Sequence, residues 1–258
     1  MEAFGFVSLA VAGVLLGITG GGGGILVTPI LVGLFGIAAT RATGVSLALV
    51  GLAAAIGAVG YGRSGQVDLR SALALALSSG VGALVARAVL LPMVPHMLGP
   101  VMSRDRALTM VFGLAMLATA VAMLRPRRVI DAPSQGWPLW TTLLAGLGIG
   151  LFSGVVGAGG GFLIVPALIL GAKMDAKRAV GTSLAVIAVT AGFGVSGELM
   201  AGAPMDPAFM ASAGAAMLGG MAVGMLASKR IAASVLRPVF GTFVLVVGLA
   251  VLGASLIA

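Results

Sequence analysis

Five consecutive glycines, Gly20, Gly21, Gly22, Gly23 and Gly24, interrupt an otherwise apolar stretch, and 137 residues on the chain carries Gly157-Ala158-Gly159-Gly160-Gly161. Each glycine inside a helix costs about 1 kcal/mol relative to alanine, so a run of five marks a break. Close packing asks for small residues on one face only, which suits scattered pairs such as Gly80/Gly82 and Gly219/Gly220 but not five in a row. A broken helix turns main-chain N–H groups and the positive end of the next helix towards the space beside it. Those donors suit an anion, because phosphate, sulfate or sulfonate oxygens are held there with little side-chain reorganisation. Side chains of matching character follow each run. Arg41, Thr43 and Ser46 stand after the first, and Arg178, Thr182 and Ser183 after the second, with Thr19 at the edge of the first. A guanidinium fork with neighbouring hydroxyls is a good match for a three-oxygen head group. The competing reading is that both arginines hold helix ends at the membrane interface.

The elements that must position these groups follow from composition. Hydrophobic residues make up 60% of the chain and charged residues 9%, with a mean hydropathy of +1.20. So little polar surface cannot cover a soluble core, and the composition implies a polytopic membrane protein. Eight apolar segments are expected, near residues 4–36, 42–61, 71–91, 107–124, 138–171, 178–199, 207–227 and 234–257. Their apolar residues cover all helix faces without period-two alternation, so the expected class is an all-α bundle and not a β-barrel. The first segment lacks a basic leader and a small-residue cleavage pattern and is read as mature protein.

The two glycine runs belong to a longer repeat. With Pro29 set against Pro166, residues 17–29 and 154–166 share seven of thirteen identities, and Arg41-Ala42-Thr43-Gly44-Val45-Ser46-Leu47-Ala48 matches Arg178-Ala179-Val180-Gly181-Thr182-Ser183-Leu184-Ala185 at six of eight. The expectation is two homologous four-segment halves, residues 1–128 and 129–258, joined by the polar stretch around Arg125-Pro126-Arg127-Arg128. Repeated halves with interrupted segments in corresponding positions are the mark of secondary transporters, whose breaks form a midplane site.

Segment length and charge bear on topology. Residues 4–36 would form a helix of about 50 Å, too long for one crossing of about 30 Å. Broken at the glycines, segments one and five can each dip in and return as a re-entrant hairpin. Each half then crosses an odd number of times and the second half is inverted. Arg63, Arg70, Arg125, Arg127, Arg128, Lys173, Lys177, Arg178, Lys229, Arg230 and Arg237 would share one side, against Arg41, Arg104 and Arg106. Full crossings give a weaker split of nine to five, so the positive-inside bias favours inverted halves with both termini outside the cytoplasm. Arg87 lies within a segment in either arrangement and is read as snorkelling.

Several chemistries are excluded. There is no cysteine, and His96 is the only histidine, which removes disulfides, thiolate sites and histidine-ligated metal or haem. No nucleotide site accompanies the glycines, since no βαβ context and no Gly-Lys-Ser/Thr follows them, and no cofactor is expected. Gly194-Val195-Ser196-Gly197 matches the pattern of an intramembrane serine protease, but its base would have to be His96 in a connection, so an enzyme is not the expected class. An anion channel is the nearer alternative, because broken helices also line pores. Glu198, at the end of segment six, is the candidate coupling carboxylate, with a plain interfacial charge as the competing reading.

Taken together, the Gly-rich break followed five residues later by proline (Gly24 to Pro29, Gly161 to Pro166) and the Arg-Ala-x-Gly-x-Ser-Leu-Ala block resemble the TauE/SafE family of sulfite and organosulfonate exporters over essentially the whole chain. The resemblance implies a multi-pass secondary carrier in a bacterial cytoplasmic membrane that moves sulfite, sulfoacetate, taurine-like or related sulfur-containing anions, most often outward. Its implied partners are the lipid bilayer and that anion, with no nucleic acid and a homodimer as a candidate assembly. The halves differ at Thr19/Val156, Gly21/Ala158 and Tyr61/Glu198, so a site between them is asymmetric.

Overall fold

The computed structural model describes residues 2–90, 93, 104–125, 137–156, 161–200 and 206–257. Every regular element among them is helical. In chain order they are α1 (Glu2–Thr19), α2 (Gly24–Phe35), α3 (Ala39–Gly62), α4 (Leu69–Val85), α5 (Arg104–Leu124), α6 (Leu139–Val156), α7 (Gly161–Pro166), α8 (Ala176–Met200), α9 (Pro207–Arg230) and α10 (Ala233–Ile257). Five of these contain stretches long and apolar enough to cross a membrane: Arg41–Gly62, Ala107–Leu124, Ala176–Ser196, Pro207–Arg230 and Ser234–Gly253. The α-helical part of α4 is shorter, at 17 residues, and reaches crossing length only with the wider π-helical turn Ala86–Leu90 that extends it.

Segment one is broken into two helices, and in segment five α6 ends at Val156 and α7 begins at Gly161, the residues between lying outside the described ones. Between α1 and α2 the chain leaves the helix at Gly20–Gly23, and α2 then runs back along α1. Phe35 at the end of α2 stacks edge-on against Phe6 near the start of α1, 5.1 Å between centroids, and lies over Gly5. In the second segment the Trp137 ring, just before α6, covers Gly171 at the end of the π turn Ala167–Gly171 that follows α7. In both segments the two open ends therefore lie together.

The ends of α2 and of the π turn after α7 are built alike. The Ile37 amide donates to Leu31 O at 3.1 Å around left-handed Gly36 (φ 66°), and the Met174 amide donates to Leu168 O at 3.0 Å around left-handed Lys173 (φ 54°). Both closures reach the carbonyl six residues back, one residue further than in a Schellman end, and glycine fills the left-handed position without strain in only the first of them. Pro166 adds a difference. The turn after it widens to a π turn over Ala167–Gly171, whereas Pro29 at the matching position sits within the continuous helix α2.

Four helix pairs carry most of the packing: α1 on α9, α4 on α6, α3 on α8 and α5 on α10. Without a hydrophobic drive between helices in lipid, close approach through small residues supplies the contact. On α1 a side chain at Gly13 or Gly17 would strike the Met217 or Met221 carbonyl of α9, and in return one at Gly220 or Gly224 would strike Ala10 or Val14 of α1. The α4–α6 crossing uses the same device. Gly150 and Gly154 meet the Ser79 and Ala83 carbonyls, and Gly82 meets that of Leu147.

Capping fixes where the crossing helices begin. The Asp68 side chain accepts the Ser71 amide at 3.2 Å to start α4, and Asp206 accepts the Ala208 amide at 3.0 Å to start α9 at Pro207. Lys229 and Arg230 occupy the last turn of α9, where the helix dipole favours cations.

Candidate functional site

The first glycine break is held open by its neighbours. Thr19 Oγ1 donates to Leu15 O at 2.6 Å and accepts the Gly22 amide at 3.1 Å, which ends α1 and ties the break to its last turn. Gly20 then takes a left-handed conformation, φ 74°, which costs a residue with a Cβ about 1–2 kcal/mol. This turns the Gly20 carbonyl towards α8, where Ser183 Oγ lies 2.7 Å away and is also 2.8 Å from its own Val180 O. A Cβ on Gly20 would sit 2.6 Å from Ser183 Oγ and 2.8 Å from Val180 Cα, so glycine is required here by both conformation and space.

The break meets the second repeated segment directly. A Cβ on Gly21 would lie 2.5 Å from the carbonyl of Gly161, the first residue of α7, and one on Gly161 would lie 3.0 Å from Ile187 of α8. The Phe243 ring of α10 covers Gly22, Gly23 lies against Ala12 and Leu16 of α1, and Gly24 opens α2 beside Val50. Residues Gly20 to Gly23 are buried, as are Thr19, at 2% exposure, and Ser183, at 0%. No described residue accepts from the amides of Gly21 or Gly23. The result is a buried junction of backbone dipoles and two hydroxyls, walled by Ile187 and Phe243.

The other sequence-derived candidates are distributed around this junction. Gly157, Gly159 and Gly160 lie outside the described residues, as does His96. Ser46 is buried, Thr43 half-buried and Arg41 exposed in the first turns of α3. Thr182 is fully buried but accepts the Asp68 amide at 3.0 Å, fastening the α3–α4 connection to α8. The Arg178 side chain, 54% exposed, pairs with the Asp68 carboxylate at 3.6 Å, so its charge is directed to a helix end and away from the break. Glu198 falls in the last turn of α8, with its side chain outside the described residues. Ser196 is exposed and donates to Gly192 O at 2.9 Å.

Sequence reasoning missed a second polar cluster at the Asp68 end of the bundle. Tyr61 Oη donates to Gly17 O at 2.9 Å and shares a 2.7 Å hydrogen bond with Ser228 Oγ, joining α3, α1 and α9 one turn before the break. Tyr61 is the only tyrosine in the chain, and a lone phenol inside an apolar helix was the available signal. Lys177 Nζ reaches Lys229 O at 3.4 Å nearby, and Arg237 donates to the Ala122 and Arg125 carbonyls at 3.1 and 2.9 Å.

Five apolar helices of membrane-crossing length packed around a buried glycine break define a polytopic membrane protein, and its relatives are described as transporters. A probable membrane transporter protein of Xylella fastidiosa strain Temecula1 is 32% identical over 253 residues, 94% of this chain and 92% of the relative. One from strain 9a5c is 33% identical over 180 residues, 68% of this chain and 65% of the relative, and one from Methanocaldococcus jannaschii is 28% identical over 202 residues, 75% and 72%. No solved structure matches the chain. The family profile described as Sulfite exporter TauE/SafE matches residues 5–251, and the chain belongs to that family.

Proposed function

We propose that the chain is a secondary carrier that exports sulfite or organosulfonate anions across the bacterial cytoplasmic membrane, with the paired glycine breaks as its substrate site. The observation that carries this reading is the approach of Gly21 to Gly161. Two interrupted segments meet inside the bundle, and the Gly21 and Gly23 amides, which no described residue accepts from, supply donors to an oxyanion while Thr19 and Ser183 hold the break in shape. The family description supports the chemical class of the ligand.

The packing supports two inverted halves. Under the 137-residue offset α1 corresponds to α6, and α9 corresponds to α4 at an offset one residue longer, so the α1–α9 and α4–α6 crossings are counterparts. Gly13 and Gly17 recur as Gly150 and Gly154, and Gly220 recurs as Gly82. The Arg178–Asp68 pair and the Tyr61–Ser228 bond bring the Arg63–Arg70 connection to the same end as Lys177 and Lys229. A re-entrant fifth segment is needed for that arrangement, and with the first segment folding back where Phe35 meets Phe6, positive-inside bias then assigns this end to the cytoplasm and both termini to the periplasm. Rocking of one half against the other about the Gly21–Gly161 contact would expose the site alternately.

The test is flux of sulfite in proteoliposomes, with sulfate, thiosulfate, taurine and sulfoacetate as competitors. Saturable, counter-substrate-stimulated flux is expected. Large unitary currents would replace the carrier with a channel, and absence of any sulfite-dependent flux would overturn the substrate class.

A further inference from the structure

At the lysine-rich end a cavity of about 350 Å3 is lined by Gly60, Tyr61, Ser64 and Gln66 from the end of α3 and its connection, Lys177 from α8, and Met225, Ser228 and Lys229 from α9. Two cations, three hydroxyl groups and an amide face it, and no carboxylate is among its lining residues. Two acids of the adjoining connections have partners of their own: Asp68 takes the Ser71 amide and hydroxyl and the Arg178 guanidinium, and Asp175 takes the Lys177 amide. The positive field is therefore uncompensated within the cavity, in a volume typical of small-ligand pockets. Tyr61 forms the inner wall. Its hydroxyl, held between Ser228 Oγ and Gly17 O, separates the cavity from the last turn of α1, which ends at Thr19 and the break.

We propose that this cavity is a second oxyanion site, in which Lys177, Lys229 and the surrounding hydroxyls receive a sulfur oxyanion at the end of the bundle and deliver it past Tyr61 to the glycine breaks. The inference deepens the transport reading and rests on it for the identity of the ligand. It names a staging site and a partition that the breaks alone do not supply. A lysine-bearing helix end also attracts lipid phosphates. The distinction lies in concavity: Tyr61 and Ser228, which close the inner end of the cavity, are buried at a depth that a headgroup at the bundle surface does not reach.

The chain has no cysteine, so a single introduced thiol reports on the cavity without background. Gln66→Cys, on a half-buried lining position, is to be labelled in uncharged maltoside detergent with anionic and cationic methanethiosulfonates of similar size. The rates, normalised to a free thiol, should favour the anionic reagent by about fivefold or more. Millimolar sulfate should slow both reagents. In the Lys177→Gln/Lys229→Gln background the preference and the sulfate protection should disappear, while the Lys→Arg pair should keep both. Lys229→Gln alone preserves the carbonyl that accepts from Lys177 and should give an intermediate ratio. A ratio near one with both lysines present, or sulfate protection that survives their removal, would overturn the site. Loss of preference on adding anionic lipid, with no effect of sulfate, would assign the lysines to headgroups and overturn it too. Labelling does not depend on transport: absent sulfite flux with intact protection refutes the transport reading, whereas flux without protection refutes the cavity site.

Discussion

Gly20→Ala is the smallest change that addresses the geometry of the break. An alanine at φ 74° carries about 1–2 kcal/mol of backbone strain. Its Cβ would lie 2.6 Å from Ser183 Oγ and 2.8 Å from Val180 Cα, and because one of these is backbone the contact is relieved only by moving α8, an overpacking cost of about 1–3 kcal/mol. The sum is about 2–5 kcal/mol, and Ser183 loses its alignment with the Gly20 carbonyl. Gly33→Ala is the matched control. It lies within α2, has nothing within 4 Å of its Cβ, and should gain up to about 1 kcal/mol from helix propensity. Thermal unfolding followed through Trp137 and Trp140 should show Gly20→Ala melting roughly 5–20 °C below wild type, with Gly33→Ala at or above it. Sulfite flux should fall at least tenfold in the first variant and hold in the second. Equal melting temperatures for Gly20→Ala and Gly33→Ala would refute the left-handed turn and the packing argument together.

Reporter fusions after Ile37 and after Gly171 should report opposite sides of the membrane, and the same side for both would eliminate the inverted halves. Tyr61→Phe should destabilise the protein by about 1–3 kcal/mol in the same melting assay, because Gly17 O and Ser228 lose a buried partner, and a wild-type melting temperature would contradict that role. Asp68→Ala removes an N-cap and should cost about 1 kcal/mol or more, whereas Arg178→Gln should cost less than about 1 kcal/mol and less still at high salt, since the pair is half exposed. Arg178→Gln should also leave the half-saturation for sulfite within about twofold of wild type, and a larger rise would put the guanidinium in contact with the anion.

The helical membrane class and the break at Gly20–Gly24 were legible because composition and a run of glycines are strong, local signals. Segment length pointed to a fold-back of the first segment, and the stacking of Phe35 on Phe6 agrees with it. The role of Arg178 was not legible. Its partner Asp68 lies 110 positions away in sequence, and only the fold brings α8 to the α3–α4 connection. The same holds for Tyr61, whose partners Gly17 and Ser228 come from two other helices. The π turn after Pro166 escaped because Pro29, at the matching position, sits in a helix without one. Identical residue types at one offset thus took different local structures, and packing decided between them.

The central claim is that a small sulfur oxyanion binds where the two glycine breaks touch. It is tested most directly by exchange of 35S-labelled sulfite in proteoliposomes carrying wild type, Gly21→Leu or Gly33→Leu, each first checked for a monodisperse elution profile. A Gly21 side chain starts 2.5 Å from the Gly161 carbonyl and must part the breaks, whereas Gly33 has open space. Exchange lost in Gly21→Leu and retained in Gly33→Leu is the predicted result. Exchange with unchanged half-saturation in Gly21→Leu would contradict the site.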